Sequence, residues 1–151
     1  VRGLFNFEKM RMESWPGACQ VTVHGKREEG DKTLGDALYR ETVEELGSDF
    51  AKELDFDSMP TVVVLEEYEN AEKKILKKRA VTLATRVPIE AVKKIRAHPD
   101  AGGFRLIGRS EVAGIMDLRS FDKAEGVTDR RTIAMFPDEK EAVAKAFARF
   151  S

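Results

Sequence analysis

The chain has 151 residues, 42% of them hydrophobic and 35% charged, with a formal net charge of −1 at pH 7. That length suits one domain with a real core, and no apolar run approaches the roughly 18 residues that span a bilayer, so a soluble globular chain is expected. The near-neutral charge gives no electrostatic footing for nucleic acid or a membrane surface, and a single cysteine, Cys19, excludes an intramolecular disulfide and fits a reducing cytoplasm.

Residues 1–7 are mixed apolar and read as the end of a strand. The first residue is Val1, so the expected single domain over residues 1–151 leaves room for a further N-terminal strand. Residues 8–13 are charged and read as a loop, with Lys9 and Arg11 as either phosphate contacts or a solvated basic pair. Trp15-Pro16-Gly17 is a turn signal, with Trp15 either stacking on a ligand ring or packing at the core edge. Residues 19–23 alternate in polarity as a half-buried strand does. Cys19 and His24 lie five positions apart, on opposite faces of such a strand, so Cys19 reads as a core thiol. His24 reads as a loop residue.

A polar loop bracketed by Gly25 and Gly30 follows. Thr33 then caps a helix running to about Leu46, with Asp36 completing a capping-box pattern and Gly47 placed to end it. Each helical residue advances about 100°. Glu41, Glu44 and Glu45 therefore share one face, and Leu38, Tyr39, Thr42, Val43 and Leu46 share the other. Like charges at this spacing cost a few tenths of a kcal/mol per pair. A bound divalent cation would offset that cost; the plainer alternative is a solvated acidic face.

Residues 50–57 continue as a short acidic segment with some helical character. The β-rich run from Thr61 extends to about Tyr68, residues 70–74 turn, and residues 80–87 are expected to return as the second strand of a hairpin. Lys73, Lys74, Lys77, Lys78 and Arg79 then fall at a solvated tip. Pro88 opens a helix expected over residues 89–97. Residues 98–103 form a loop, 104–107 a short strand, and Ser110 caps a short helix beginning at Glu111. Residues 116–130 lack periodicity and read as a long loop on the substrate side. A final helix starts at Pro137, with Ala142, Val143, Ala146 and Phe147 as its apolar face.

The order strand, glycine loop, acidic helix resembles the Nudix box, whose pattern is G-x5-E-x7-R-E-U-x-E-E-x-G-U with U aliphatic. Gly25 matches the opening glycine, and Arg40, Glu41, Glu44, Glu45 and Gly47 match the second half at its spacing. Ala37 stands three residues before the arginine, and Gly25-Lys26, Glu28 and Gly30 look like the common G-K-x-E-x-G opening. The stretch from Gly25 to Arg40 is one residue longer than the strict pattern, so the loop acid falls on Asp31 counted forward and on Lys32 counted back. Thr42 and Ser48 occupy sites usually aliphatic, and His24 replaces the first of a frequent glycine pair. The resemblance covers residues 17–50.

That resemblance implies an α/β protein, an α/β/α sandwich around a mixed sheet. It implies hydrolysis of a nucleoside diphosphate linked to another moiety, with water attacking phosphorus. Glu41, Glu44 and Glu45, joined by the Gly25 carbonyl, would hold Mg²⁺ or Mn²⁺, and Arg40 would orient the carboxylates. Glu44 or Glu41 would be the base, with Glu67, Glu111 and Glu125 as candidates outside the box. The partner would be a small-molecule nucleoside diphosphate derivative, not nucleic acid or a membrane. A homodimer is one state the resemblance allows. Two alternatives stand beside this reading: a Nudix-fold domain that binds or regulates without hydrolysis, and isopentenyl diphosphate isomerisation on the same fold, for which Cys19 is the single matching residue.

Overall fold

In the computed structural model, the segment after the Trp15-Pro16-Gly17 turn contributes to each of three hydrophobic clusters among the described residues. The structure describes residues 1–3, 5–6, 9–21, 23–99 and 101–151, with Phe5 and Asn6 described by backbone alone. Leu4, Phe7, Glu8, Thr22 and Asp100, on which parts of the strand and loop expectations fall, lie outside the described residues. Ala18 packs with Leu118, Val127 and Ala134; Cys19 and Val21 pack with Ile115, Ile133 and Met135; Val23 packs against Leu46, Phe50 and Ala91. Cys19 is buried, while Gln20, Val21 and Val23 are half-buried, so the alternation read in residues 19–23 is not one of burial class among the described residues. The segment is extended without forming a regular strand: Cys19 N–H donates to the Ala134 carbonyl at 2.9 Å and the Ala18 carbonyl accepts from Arg2 N–H at 2.9 Å.

Helices and strands are mixed, as an α/β chain requires. Among the described residues the regular strands form three two-stranded sheets. Strand β1 (Phe5–Asn6) pairs antiparallel with β2 (Arg11–Met12), so part of the expected charged loop 8–13 is a strand. Trp15 packs edge-on against Phe136 at 5.9 Å between centroids and borders the first cluster, which makes it a core-edge aromatic.

Helix α1 (Leu34–Leu46) begins and ends where the sequence signals place it. Thr33 Oγ1 accepts from Asp36 N–H at 3.1 Å, while the Asp36 carboxylate accepts from Thr33 N–H at 2.8 Å. At the other end Gly47, with φ +93°, donates its N–H to the Val43 carbonyl at 3.1 Å. Helix α2 (Ser48–Ala51) is a single turn, after which the chain is irregular to Pro60.

Strands β3 (Thr61–Asn70) and β4 (Ile75–Leu83) form the antiparallel ribbon. The return strand therefore starts five residues before the expected Ala80, and residues 84–87 are not strand. The reason is charge pairing across the ladder. Glu66 sits opposite Arg79 and Glu67 opposite Lys78, so the basic run is strand and only Lys73 and Lys74 lie in the turn.

Helix α3 (Ile89–Val92) is one turn, shorter than the expected 89–97. Helix ends leave carbonyls without intrahelical partners, and this segment supplies them: Arg96 N–H donates to Leu46 O at 2.8 Å and His98 N–H to Glu45 O at 2.9 Å. Ending α3 early thus seals the C-terminus of α1. Residues 104–107 are irregular rather than strand, and Arg105 reaches instead to the carbonyls of Arg130 and Arg131. The expected helix at Ser110 is a 3₁₀ turn over Arg109–Gly114. The stretch expected as one long loop contains β5 (Met116–Asp117), parallel to β6 (Ala134–Met135), and a second 3₁₀ turn over Leu118–Ser120. Helix α4 (Pro137–Arg149) closes the fold, burying Ala142 and resting Val143 on the second cluster. Among the described residues no helix is long and apolar enough to cross a membrane.

Candidate active site

Arg40 organises the acidic end of α1. Its Nη2 donates to Asp31 Oδ2 at 3.0 Å and to the Lys26 carbonyl at 2.9 Å, while Nη1 donates to Glu41 Oε1 at 2.7 Å. Nη1 also stands 3.6 Å from Glu28 and 3.9 Å from Glu44. One guanidinium therefore joins the glycine-bracketed loop to the helix, using the planar fork that lysine lacks. Arg27 secures the loop from its other side by donating to the carbonyls of Asp31 and Lys32 at 3.0 and 2.8 Å.

Asp31 and Lys32 differ in burial and partners. Asp31 is 9% exposed, bonds Arg40 and accepts the Glu28 N–H at 2.8 Å. Lys32 is exposed. The Arg40 guanidinium, and after it the Glu28 N–H, hold the Asp31 carboxyl below the usual carboxylate range. The same contacts with Asp31 and Glu41 push the Arg40 pKa up and keep it charged.

Of the three helix carboxylates, Glu41 has 15% and Glu44 59% of its side chain exposed. Glu45 is half-buried, and burial is the main reason its pKa is pushed up to about 7. The charges of Glu41 and Glu44 add to that rise, and a hydrogen bond from the His24 backbone N–H opposes it. Gly25 lies against Glu41 so closely that a Cβ there would stand 2.0 Å from the Glu41 carboxyl carbon. A side chain at position 25 would displace the carboxylate.

The structure thus brings Gly25, Arg40, Glu41, Glu44 and Glu45 into one region and adds Asp31 to it. Among the described residues no three His, Cys, Asp or Glu side chains converge on a point that holds a metal ion, and Glu41 is turned to Arg40. The donor chemistry nonetheless suits a hard cation: carboxylates and a backbone carbonyl are oxygen ligands of the kind Mg²⁺ takes. The candidates outside the box are engaged elsewhere. Glu67 pairs with Lys77 at 3.0 Å, and Glu111 accepts the Gly108 N–H at 2.7 Å and faces Arg105 at 3.4 Å. Glu125 is exposed, its backbone N–H donating to Asp122 at 2.9 Å. Cys19 is a buried core thiol, as read, while the His24 side chain is 57% exposed.

Sequence reasoning missed Glu139. It sits in the first turn of α4, 8% exposed, with Oε1 at 3.8 Å from His24 Nδ1. The signal in the sequence, a glutamate at the third helical position, marks a helix start but says nothing of burial. Comparison of the chain with protein-family models, with curated proteins and with solved structures finds no match in any of the three.

Proposed function

We propose that this chain is a metal-dependent pyrophosphohydrolase of the Nudix type, built as an α/β/α sandwich around a mixed sheet and acting on a nucleoside diphosphate linked to another moiety. The observation that carries the reading is the Arg40 clamp. A single arginine binds the loop at Lys26 and Asp31 and the helix at Glu41, which sets the Gly25 backbone against a helix face of three carboxylates. A solvated acidic face has no need of such a tie.

In this reading Glu41, Glu44, Glu45 and the Gly25 carbonyl would hold Mg²⁺ or Mn²⁺. The bound ion supplies neutralisation of phosphate charge and a more acidic water. Arg40 holds Glu41 in place by a charge-assisted hydrogen bond. Glu44, the most exposed of the three, takes the proton from water as its oxygen attacks phosphorus and the bond to the bridging oxygen breaks; Glu41 is the second candidate for that role. General-base assistance of this kind contributes about 10²–10⁴-fold. One observation favours a non-hydrolytic binding domain instead: Asp31, at the place of the loop acid, is fully engaged in the clamp and offers no free carboxylate.

The test is nucleotide or phosphate release from a panel of nucleoside diphosphate derivatives with Mg²⁺, with Mn²⁺ and with chelator. Turnover that needs the metal supports the hydrolase. Tight binding of one derivative without turnover moves the assignment to the binding domain.

A further inference from the structure

We propose that Glu139 is a positioning residue for the acidic site, its buried carboxylate fixing the segment that carries His24 and Gly25 to α1. The functional consequence rests on the hydrolase reading; the burial of Glu139 and its approach to His24 do not.

Two carboxylate groups from different helices hold this segment from two sides. On the α4 side, Glu139 Oε2 accepts the Phe136 N–H at 3.4 Å, its Oε1 lies 3.8 Å from His24 Nδ1, and the Val21 N–H faces the carboxylate. On the α1 side, the His24 N–H faces Glu45, and Gly25 rests on the Glu41 carboxyl. Capping α4 does not require Glu139 to be buried, because an exposed glutamate at a helix start interacts with the first N–H groups and the helix dipole equally well. Burial of a carboxyl is unfavourable without compensating partners, and here it pushes the Glu139 pKa up. Of the groups that compensate, the Phe136 N–H belongs to the start of α4, and the His24 ring and the Val21 N–H belong to the segment leading into the site. Asp138, one residue earlier, is exposed and carries first-turn charge without that contact, so it separates the two roles.

The experiment compares the wild-type chain with Glu139→Asp, Glu139→Gln and Asp138→Ala. It reads Mg²⁺ affinity by calorimetry and amide hydrogen exchange at residues 23–25 in the metal-free protein. Glu139→Asp keeps an acid that suits a helix start but shortens its reach by one methylene, so the helix is retained. It is expected to weaken Mg²⁺ binding about tenfold, within the range for residues that orient metal ligands, and to speed exchange at His24 by a similar factor. Glu139→Gln keeps an oxygen for the Val21 N–H and is expected to recover most of both. Asp138→Ala is expected to change neither. Unchanged His24 exchange in Glu139→Asp, or an equal change in Asp138→Ala, would overturn the proposal. A wild-type chain that binds no Mg²⁺ would overturn the hydrolase reading instead, while the exchange data would still decide the role of Glu139.

Discussion

Charged residues are arranged in opposite ways in the β3–β4 ribbon and around Arg40. In the ribbon, acids and bases face each other one to one: Glu67 with Lys77 at 3.0 Å and Glu66 with Arg79 at 3.7 Å. These pairs are exposed and local, and each contributes about 0–1 kcal/mol at most. Around Arg40, four acids, Glu28, Asp31, Glu41 and Glu44, stand within 4 Å of one guanidinium. Glu45 is left beside them, half-buried, with its pKa pushed up to about 7. Pairing one to one leaves little net charge along the ribbon; convergence on a single cation leaves an excess of negative charge, and that excess is what a divalent ion can use.

The comparison can be broken at its centre first. Arg40→Ala removes the tie between loop and helix, and Mg²⁺ affinity is expected to fall about 10–100-fold, as for other groups that orient metal ligands. Arg40→Lys should recover little of it, because an ammonium cannot bridge Asp31, Glu41 and the Lys26 carbonyl at once. Calorimetric titration of the two variants measures both effects.

A smaller effect appears with pH. The Asp31 carboxyl titrates below its ordinary 3.8 in the folded chain. Its contribution to stability is therefore fully present above about that pH and is lost as the pH falls through the lower folded value. Acid denaturation of Asp31→Asn is expected to lack this component, so its stability should lie below that of the wild type at neutral pH and converge on it in acid. Unfolding midpoints taken between pH 2 and 7 give the comparison.

The ribbon should give the smallest response. Lys77→Ala removes one exposed partner, and stability is expected to change by no more than about 0.5 kcal/mol, with Mg²⁺ affinity unaltered. A loss comparable to that of Arg40→Ala would erase the distinction between the two regions.

How far the sequence foretold this arrangement depended on whether the signal was local. Helix α1 was legible to the residue, since Thr33, Asp36 and Gly47 act within one turn of its ends. Helix α4 was equally legible from Pro137 and its apolar spacing. The ribbon was legible as a hairpin but not in its bounds, because the partner that makes Lys77, Lys78 and Arg79 a strand is the acidic run some ten residues away. Helix α3 stopped early for a reason no local pattern carries: the backbone of Arg96 and His98 seals the end of another helix. Gly25, Arg40 and the three glutamates were named from the resemblance to the Nudix box, and the structure brings them into one region. Asp31 was ambiguous with Lys32 until burial and the Arg40 bond separated them. The burial of Glu139 depends on where α4 packs, which its own residues do not encode.

The most direct test of the account is metal-dependent turnover of a nucleoside diphosphate derivative by the wild-type chain beside Glu44→Gln, with the melting temperature of each recorded. The account predicts turnover that chelator abolishes, a loss of at least about 10²-fold in Glu44→Gln, and an unchanged melting temperature, since Glu44 is largely exposed. Full turnover by a folded Glu44→Gln chain would contradict the assignment of the α1 acidic face as the catalytic centre.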